Sequence, residues 1–132
     1  MSSESYHTVF VYGTLRRGAS NAFRMEDAIL AGYGTVHGRL YRISWYPGLV
    51  LDSEAGRVHG DLFRVTEEQL LKLDEFEGLA AGEIEGSEYR RIKVPVLRTD
   101  GEPEMAWVYE WKGSTSGAVV IPDGDWLKAQ AD

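Results

Sequence analysis

Val36-His37-Gly38-Arg39-Leu40-Tyr41-Arg42-Ile43 and Val58-His59-Gly60-Asp61-Leu62-Phe63-Arg64-Val65 match in their apolar, glycine, aromatic and arginine positions. Both read as strands, since β-branched and aromatic residues suit a pleated, half-buried surface. Two copies are too few for a solenoid, and a glycine inside a strand marks a bulge or a close backbone approach, as a tightly curved sheet requires. Between them Tyr46-Pro47-Gly48 is a turn signal, followed by the short apolar run Leu49-Val50-Leu51. Upstream, Thr8-Val9-Phe10-Val11-Tyr12 reads as a buried strand that Gly13 stops. Asn21 is then placed to cap a short helix whose apolar face, Ala22, Phe23, Met25, Ile29 and Leu30, is imperfect.

Downstream, Thr66 with Gln69 three residues on forms a capping-box pattern. It predicts a helix with Leu70, Leu71 and Leu73 as its inward stripe, ending near Glu75 to Gly78. Leu79 to Glu88, rich in glycine and acid, reads as a surface loop. Two more strands follow, Tyr89 to Leu97 and Met105 to Trp111, and Pro95 places the first at an edge or a bulge. The apolar Val119-Val120-Ile121 and Trp126 predict that the tail docks on the body. About six strands without regular strand-helix alternation argue for an α+β domain. The architecture expected is a small mixed, mainly antiparallel β-barrel with one or two flanking helices.

At 132 residues the chain can bury one core unaided, so residues 7–132 are expected to form a single domain behind a loose tail, 1–6. Fourteen Lys and Arg stand against 21 Asp and Glu, a net charge of -7. That argues against nucleic acid, whose binding needs a clustered basic patch. With no cysteine there is neither a disulfide framework nor a thiolate nucleophile nor a sulfur zinc site. The first residues lack the basic and apolar regions of a signal peptide, and no apolar stretch reaches a membrane-spanning length. A cytoplasmic protein without membrane contact, monomeric or weakly dimeric, is expected.

Two constellations carry possible chemistry. In Phe10-Val11-Tyr12-Gly13-Thr14-Leu15-Arg16-Arg17-Gly18 a strand enters a glycine loop with two basic residues. Such a loop can aim backbone N–H groups at an anion, because Gly13 permits positive φ and has no side chain to block approach. A plain strand-to-loop exit explains the spacing equally well, and a phosphate P-loop does not fit, because its Gly-Lys-Ser/Thr ending is missing. In Leu73-Asp74-Glu75-Phe76-Glu77-Gly78 three carboxylates crowd a helix C-terminus. Dipole and like charge there raise proton affinity, which suits an acid/base. A solvated acidic helix end is the commoner reading, and it fits Asp74 and Glu75 better than Glu77. His7, His37 and His59 lack metal-ligand spacing and read as structural, so no metal is expected. Ser114-Thr115-Ser116-Gly117 lacks the order of a nucleophile elbow. Four tryptophans and seven tyrosines read as core and pocket lining rather than stacking platforms for bases.

These two stretches, with Tyr46-Pro47-Gly48-Leu49-Val50, Val58-His59-Gly60-Asp61-Leu62-Phe63 and Tyr89-Arg90-Arg91, resemble the γ-glutamylcyclotransferase-like family in order and spacing, over roughly Val9 to Tyr109. The resemblance implies a small mixed β-barrel and a cofactor-free enzyme, a cyclising acyltransferase. The α-amine of a γ-glutamyl amine or γ-glutamyl peptide would attack its own γ-carbonyl, releasing 5-oxoproline and the free amine. It also implies that Glu77 is the catalytic residue, that Tyr12, Gly13, Thr14 and Leu15 form the substrate loop, and that Tyr89 belongs to the pocket. A non-catalytic binder of a small metabolite with the same fold, and an acidic interaction module recruiting a basic partner, are the alternatives.

Overall fold

The computed structural model describes residues 6–79, 84–86 and 88–130, without the side chain of 130. Except for Tyr6, the expected loose tail lies outside the described residues, as do 80–83 and 87 of the acidic loop. In the described part of that loop, Leu79 bridges Gly86 and Glu85 bridges Arg90.

Both matching segments lie in strands that are neighbours in the sheet, but they meet only at Val36↔Val58, since Gly38 to Arg42 pair with Pro47 to Leu51 instead. Strand β2, Ile29–Arg42, runs antiparallel to β4, Arg57–Val65, from Ile29↔Arg64 to His37↔Arg57. Strand β1, His7–Val11, extends the sheet on the other edge of β4, antiparallel from His7↔Val65 to Val11↔Asp61. It then meets β6, Pro103–Trp111, in the one parallel pairing among the described residues, Val9↔Trp107. Strand β5, Tyr89–Arg98, pairs with β6 along its length and closes the barrel onto β2 at Gly34↔Arg98 and Thr35↔Leu97. The expected mixed, mainly antiparallel barrel is therefore a five-stranded closed sheet. Strand β3, Pro47–Leu51, and the two-residue β7, Val119–Val120, add to β2 outside it.

Glycine makes this curvature possible. A Cβ at Gly60 would stand 2.5 Å from Phe10 Cζ, and one at Gly38 would stand 2.7 Å from Leu49 Cδ1. Strand alternation sends Phe10, Leu40, Val58, Leu62, Val96 and Val108 into the barrel, where Ile121 and Trp126 of the docked tail plug it. The opposite faces send Val9, Val11, Phe63, Val65, Tyr109 and Trp111 outward into a second core. Helix α1, Glu67–Phe76, covers that second core with Leu70 and Leu73. A short helix α2, Trp126–Gln130, ends the described chain. No helix among the described residues is long and apolar enough to cross a membrane.

Several local expectations change. The helix expected after Asn21 is a single 3-10 turn, Ala22–Met25, and Ile29 and Leu30 belong to β2. Asn21 makes no side-chain cap; its Nδ2 donates to Thr14 Oγ1 at 3.1 Å and its Oδ1 accepts from Arg24 Nε at 3.3 Å. Sheet pairing wins there because Ile29 and Leu30 find partners in Arg64 and Phe63. In α1 the capping box forms as expected, but Leu71 faces solvent, and Asp74 takes the third buried position beside Leu70 and Leu73.

Candidate active site

Glu77 owes its position to the way α1 stops. Gly78 turns into the left-handed region at φ 83, which a residue without Cβ adopts freely. The Gly78 N–H then donates to Glu75 O at 3.1 Å and the Leu79 N–H to Asp74 O at 2.8 Å. This pair of bonds is the Schellman termination, with Glu77 as the capping residue and Leu79 buried over Leu73 in the outer core. The side chain at Glu77 is thereby presented at the negative end of the helix dipole, half-buried.

Glu77 lines a cavity of about 260 Å³ together with Tyr12, Gly13, Thr14, Leu15, Trp45, Tyr46, Glu88, Tyr89 and Tyr109. The loop after β1 and the end of α1, far apart in sequence, thus open on the same space. Burial first, then the charges of Asp74 and Glu88, push the Glu77 carboxyl up to about 7. No described residue hydrogen-bonds that carboxyl, so its proton is available to whatever enters.

Asp74 departs from the solvated acid expected of it. It is 1% exposed, and Arg91 grips it through Nε at 2.8 Å and Nη2 at 3.1 Å. Tyr109 donates its hydroxyl to Asp74 Oδ1 at 2.6 Å. The Arg91 guanidinium also lies 4.2 Å from the Trp107 ring centroid. One helical turn separates Asp74 from Glu77, so a fixed negative charge sits beneath the titrating one. Glu75, by contrast, is exposed as expected.

The loop is built differently from the simple anion cradle. Gly13 has no positive φ. Glycine is needed there because a Cβ would meet Pro47 Cγ at 2.6 Å and Cδ at 2.8 Å. Arg16 turns away to Asp61 Oδ1 at 3.3 Å and Asp125 Oδ1 at 3.0 Å, while Asp61 Oδ2 accepts the Arg17 N–H at 2.9 Å. Buried Asp61 thus anchors the loop from behind. The N–H groups of Gly13, Thr14 and Leu15 donate to no described residue, and all three residues line the cavity.

The tyrosines form its walls. Tyr12 donates its hydroxyl to Tyr109 O at 2.6 Å and accepts from Leu49 N at 3.3 Å. Tyr89 donates to Pro47 O at 2.9 Å and stands edge-on to Trp111 at 5.2 Å. Burial raises the phenols of Tyr12, Tyr89 and Tyr109 above the usual tyrosine range, with Glu77 adding to each, so all three remain neutral donors.

Known proteins share this arrangement of chain. The family described as "Gamma-glutamyl cyclotransferase, AIG2-like" matches residues 9–128. The γ-glutamylcyclotransferase family protein YtfP of Escherichia coli strain K12 is 34% identical over 122 residues, covering 90% of this chain and 95% of that protein. The chain belongs to the γ-glutamyl cyclotransferase, AIG2-like family. The solution structure of ytfP from Escherichia coli superposes with a TM-score of 0.65 at 31% identity, covering 93% of this chain and 98% of that one. The crystal structure of an AIG2-like protein from Mus musculus does so at 0.68 and 28% identity, covering 80% and 76%. In this family member the six residues singled out from sequence, Tyr12, Gly13, Thr14, Leu15, Glu77 and Tyr89, all line one cavity. Sequence reasoning missed Trp45, Tyr46, Glu88 and Tyr109 as its walls and Asp74 with Arg91 as its support. Tyr46-Pro47-Gly48 read locally as a turn and entered the family resemblance with no pocket role attached, and nothing local distinguishes a buried Asp74 from an exposed one.

Proposed function

We propose that the chain is a cyclotransferase that converts a γ-glutamyl amine or peptide into 5-oxoproline and the free amine. The observation that carries this is the convergence of an unpartnered, half-buried Glu77 carboxyl and the free amides of Gly13 to Leu15 on a single cavity. Glu77, as carboxylate, takes a proton from the substrate's α-ammonium. The freed amine attacks the γ-carbonyl carbon, forming the ring C–N bond and placing negative charge on the carbonyl oxygen. Glu77 returns the proton to the amide nitrogen as the old C–N bond breaks, and the ring nitrogen gives up its second proton to the departing amine, which leaves as an ammonium, so one carboxyl serves both steps and no water is consumed.

A proton affinity near neutrality matches that double duty, because a weaker base would not accept the proton and a stronger one would not return it. The loop amides supply donors for either the α-carboxylate or the oxyanion, in a site where preorganised dipoles act most strongly. The small, aromatic-walled space holds the glutamyl chain folded, keeping amine and carbonyl in contact.

The test is incubation with γ-glutamyl amines and γ-glutamyl dipeptides while following 5-oxoproline, with Glu77→Gln beside the natural chain. The expected result is product from the natural chain and a loss of at least about a hundredfold in the variant. Equal product from both would remove Glu77 from its role. Binding without product from either would leave a metabolite-binding protein of the same fold.

A further inference from the structure

The cavity has a chemical gradient that the cyclisation does not use. Its lining runs from buried Tyr12 and Tyr109 through half-buried Glu77 and Tyr46 to exposed Trp45 and Glu88. Trp45 leaves 63% of its surface in solvent and stacks edge-on against Tyr46, with ring centroids 5.0 Å apart. The Tyr46 hydroxyl points at Glu88 Oε2, 3.4 Å away. Two carboxylates, Glu77 and Glu88, line this space, and among the described residues no lysine or arginine does.

Four basic side chains of the surrounding elements are engaged elsewhere. Arg91 is spent on Asp74 and Arg90 on Glu110, at 2.6 Å. Lys112 holds Glu85. Arg24 lies over the Phe76 ring at 4.2 Å and borders a neighbouring cavity instead.

Ring closure must occur beside Glu77, so whatever is attached to the departing nitrogen extends toward the exposed end of the lining. A leaving α-amino acid would bring its carboxylate into a space that already holds two. A leaving amine with a second ammonium group would instead meet the faces of Trp45 and Tyr46 and the carboxylate of Glu88. Aromatic faces attract cations, and more so when the cation is partly desolvated. We propose that Trp45, Tyr46 and Glu88 form a leaving-group subsite selecting γ-glutamyl diamines over neutral γ-glutamyl amines, and both over γ-glutamyl α-amino acids. This subsite rests on the cyclotransferase function proposed above, but its charge preference is measurable without turnover.

Three probes share the glutamyl head: γ-glutamyl-1,4-diaminobutane, γ-glutamylbutylamine and γ-glutamyl-α-aminobutyrate. Their dissociation constants are measured by calorimetry on Glu77→Gln, and their kcat/KM on the natural chain. The diamine is expected to bind about tenfold more tightly than the butyl amide, and the amino acid conjugate more weakly still. Adding Glu88→Gln or Trp45→Ala should shrink the diamine-to-butylamine ratio severalfold, and added salt should shrink it in the Glu88-containing protein. Equal affinities for all three probes, or a ratio indifferent to both substitutions, overturns the subsite. If the binding preference is present while no probe yields 5-oxoproline, the subsite stands and the cyclotransferase function fails.

Discussion

Glu77→Gln should stabilise the protein relative to the natural chain by an amount that grows as pH rises from about 4.5 to about 7. Folding moves this carboxyl from an ordinary value of 4.5 to about 7, chiefly because burial penalises its charge. Where a folded-state pKa is raised, the folded state holds a proton that the unfolded state has already released. Below about pH 4.5 both states are protonated and the group costs nothing. Between 4.5 and about 7 stability falls by about 1.4 kcal/mol per pH unit, and above that interval the loss levels off at about 3 kcal/mol. Glutamine is close in shape but never ionises, so it avoids the whole term. Its own packing and hydrogen-bonding differences do not vary with pH, and they cancel when one pH is compared with another. Urea or thermal unfolding of both proteins from about pH 4.5 to about pH 8.5 therefore isolates the carboxyl. The gap between variant and natural chain should open across the interval to about 3 kcal/mol, on the order of 10 °C in Tm for a chain of this size. A constant gap, or one that closes as pH rises, would refute the burial argument, because a solvated Glu77 has no such term.

The same electrostatics predicts that kcat/KM for 5-oxoproline formation falls as pH drops below about 7, since the proton acceptor is the carboxylate. Asp74→Asn removes the negative charge beneath Glu77 and leaves Arg91 uncompensated, so the acidic limb of that profile should move down by about one pH unit. An unmoved limb with intact folding would show that Asp74 does not set Glu77's proton affinity. Arg91→Met leaves Asp74 buried without its cation and should cost about 3–5 kcal/mol in chemical denaturation. Gly13→Ala forces Pro47 and the start of β3 away from the loop. Without positive φ in the way, its cost of about 1–3 kcal/mol should come from that clash alone, and Pro47→Ala should rescue it.

The barrel was legible because its evidence is periodic. Val36 to Ile43 and Val58 to Val65 carry their alternation and their glycines openly, and they fall in β2 and β4, although the β2–β4 ladder itself runs mostly upstream of Val36 and the first segment pairs mainly with β3. The capping box of Thr66 and Gln69 is equally local, and it forms with both bonds. The helix expected over Ala22 to Leu30 failed for a non-local reason: Ile29 and Leu30 have sheet partners more than thirty positions away, at Arg64 and Phe63. Asp74 was misjudged on the same ground, since its burial depends on Arg91 and Tyr109 approaching from β5 and β6. Of the two properties for which Gly13 stood out, positive φ and an absent side chain, only the second is used, and toward Pro47 rather than toward an anion. It matters for the room its missing side chain leaves to Pro47, a contact with no sequence signature.

The two cores account for where the cavity lies. Tyr12 is an inward residue of the barrel core and Leu15 belongs to the outer one, so the loop between them passes from one apolar layer to the other. Alternation along a strand keeps such layers apart, and only where β1 ends can the chain cross. Backbone at the crossing has no ladder partner, which leaves the amides of Gly13 to Leu15 free. Helix α1 covers the outer layer and must end before it overruns the barrel rim. Its Schellman termination at Gly78 therefore brings Glu77 to the same crossing. Free donors and a desolvated carboxyl meet there because both are chain ends of buried elements. An insertion lengthening α1 by one turn would carry the acid past the loop, abolishing 5-oxoproline release while the barrel still folds.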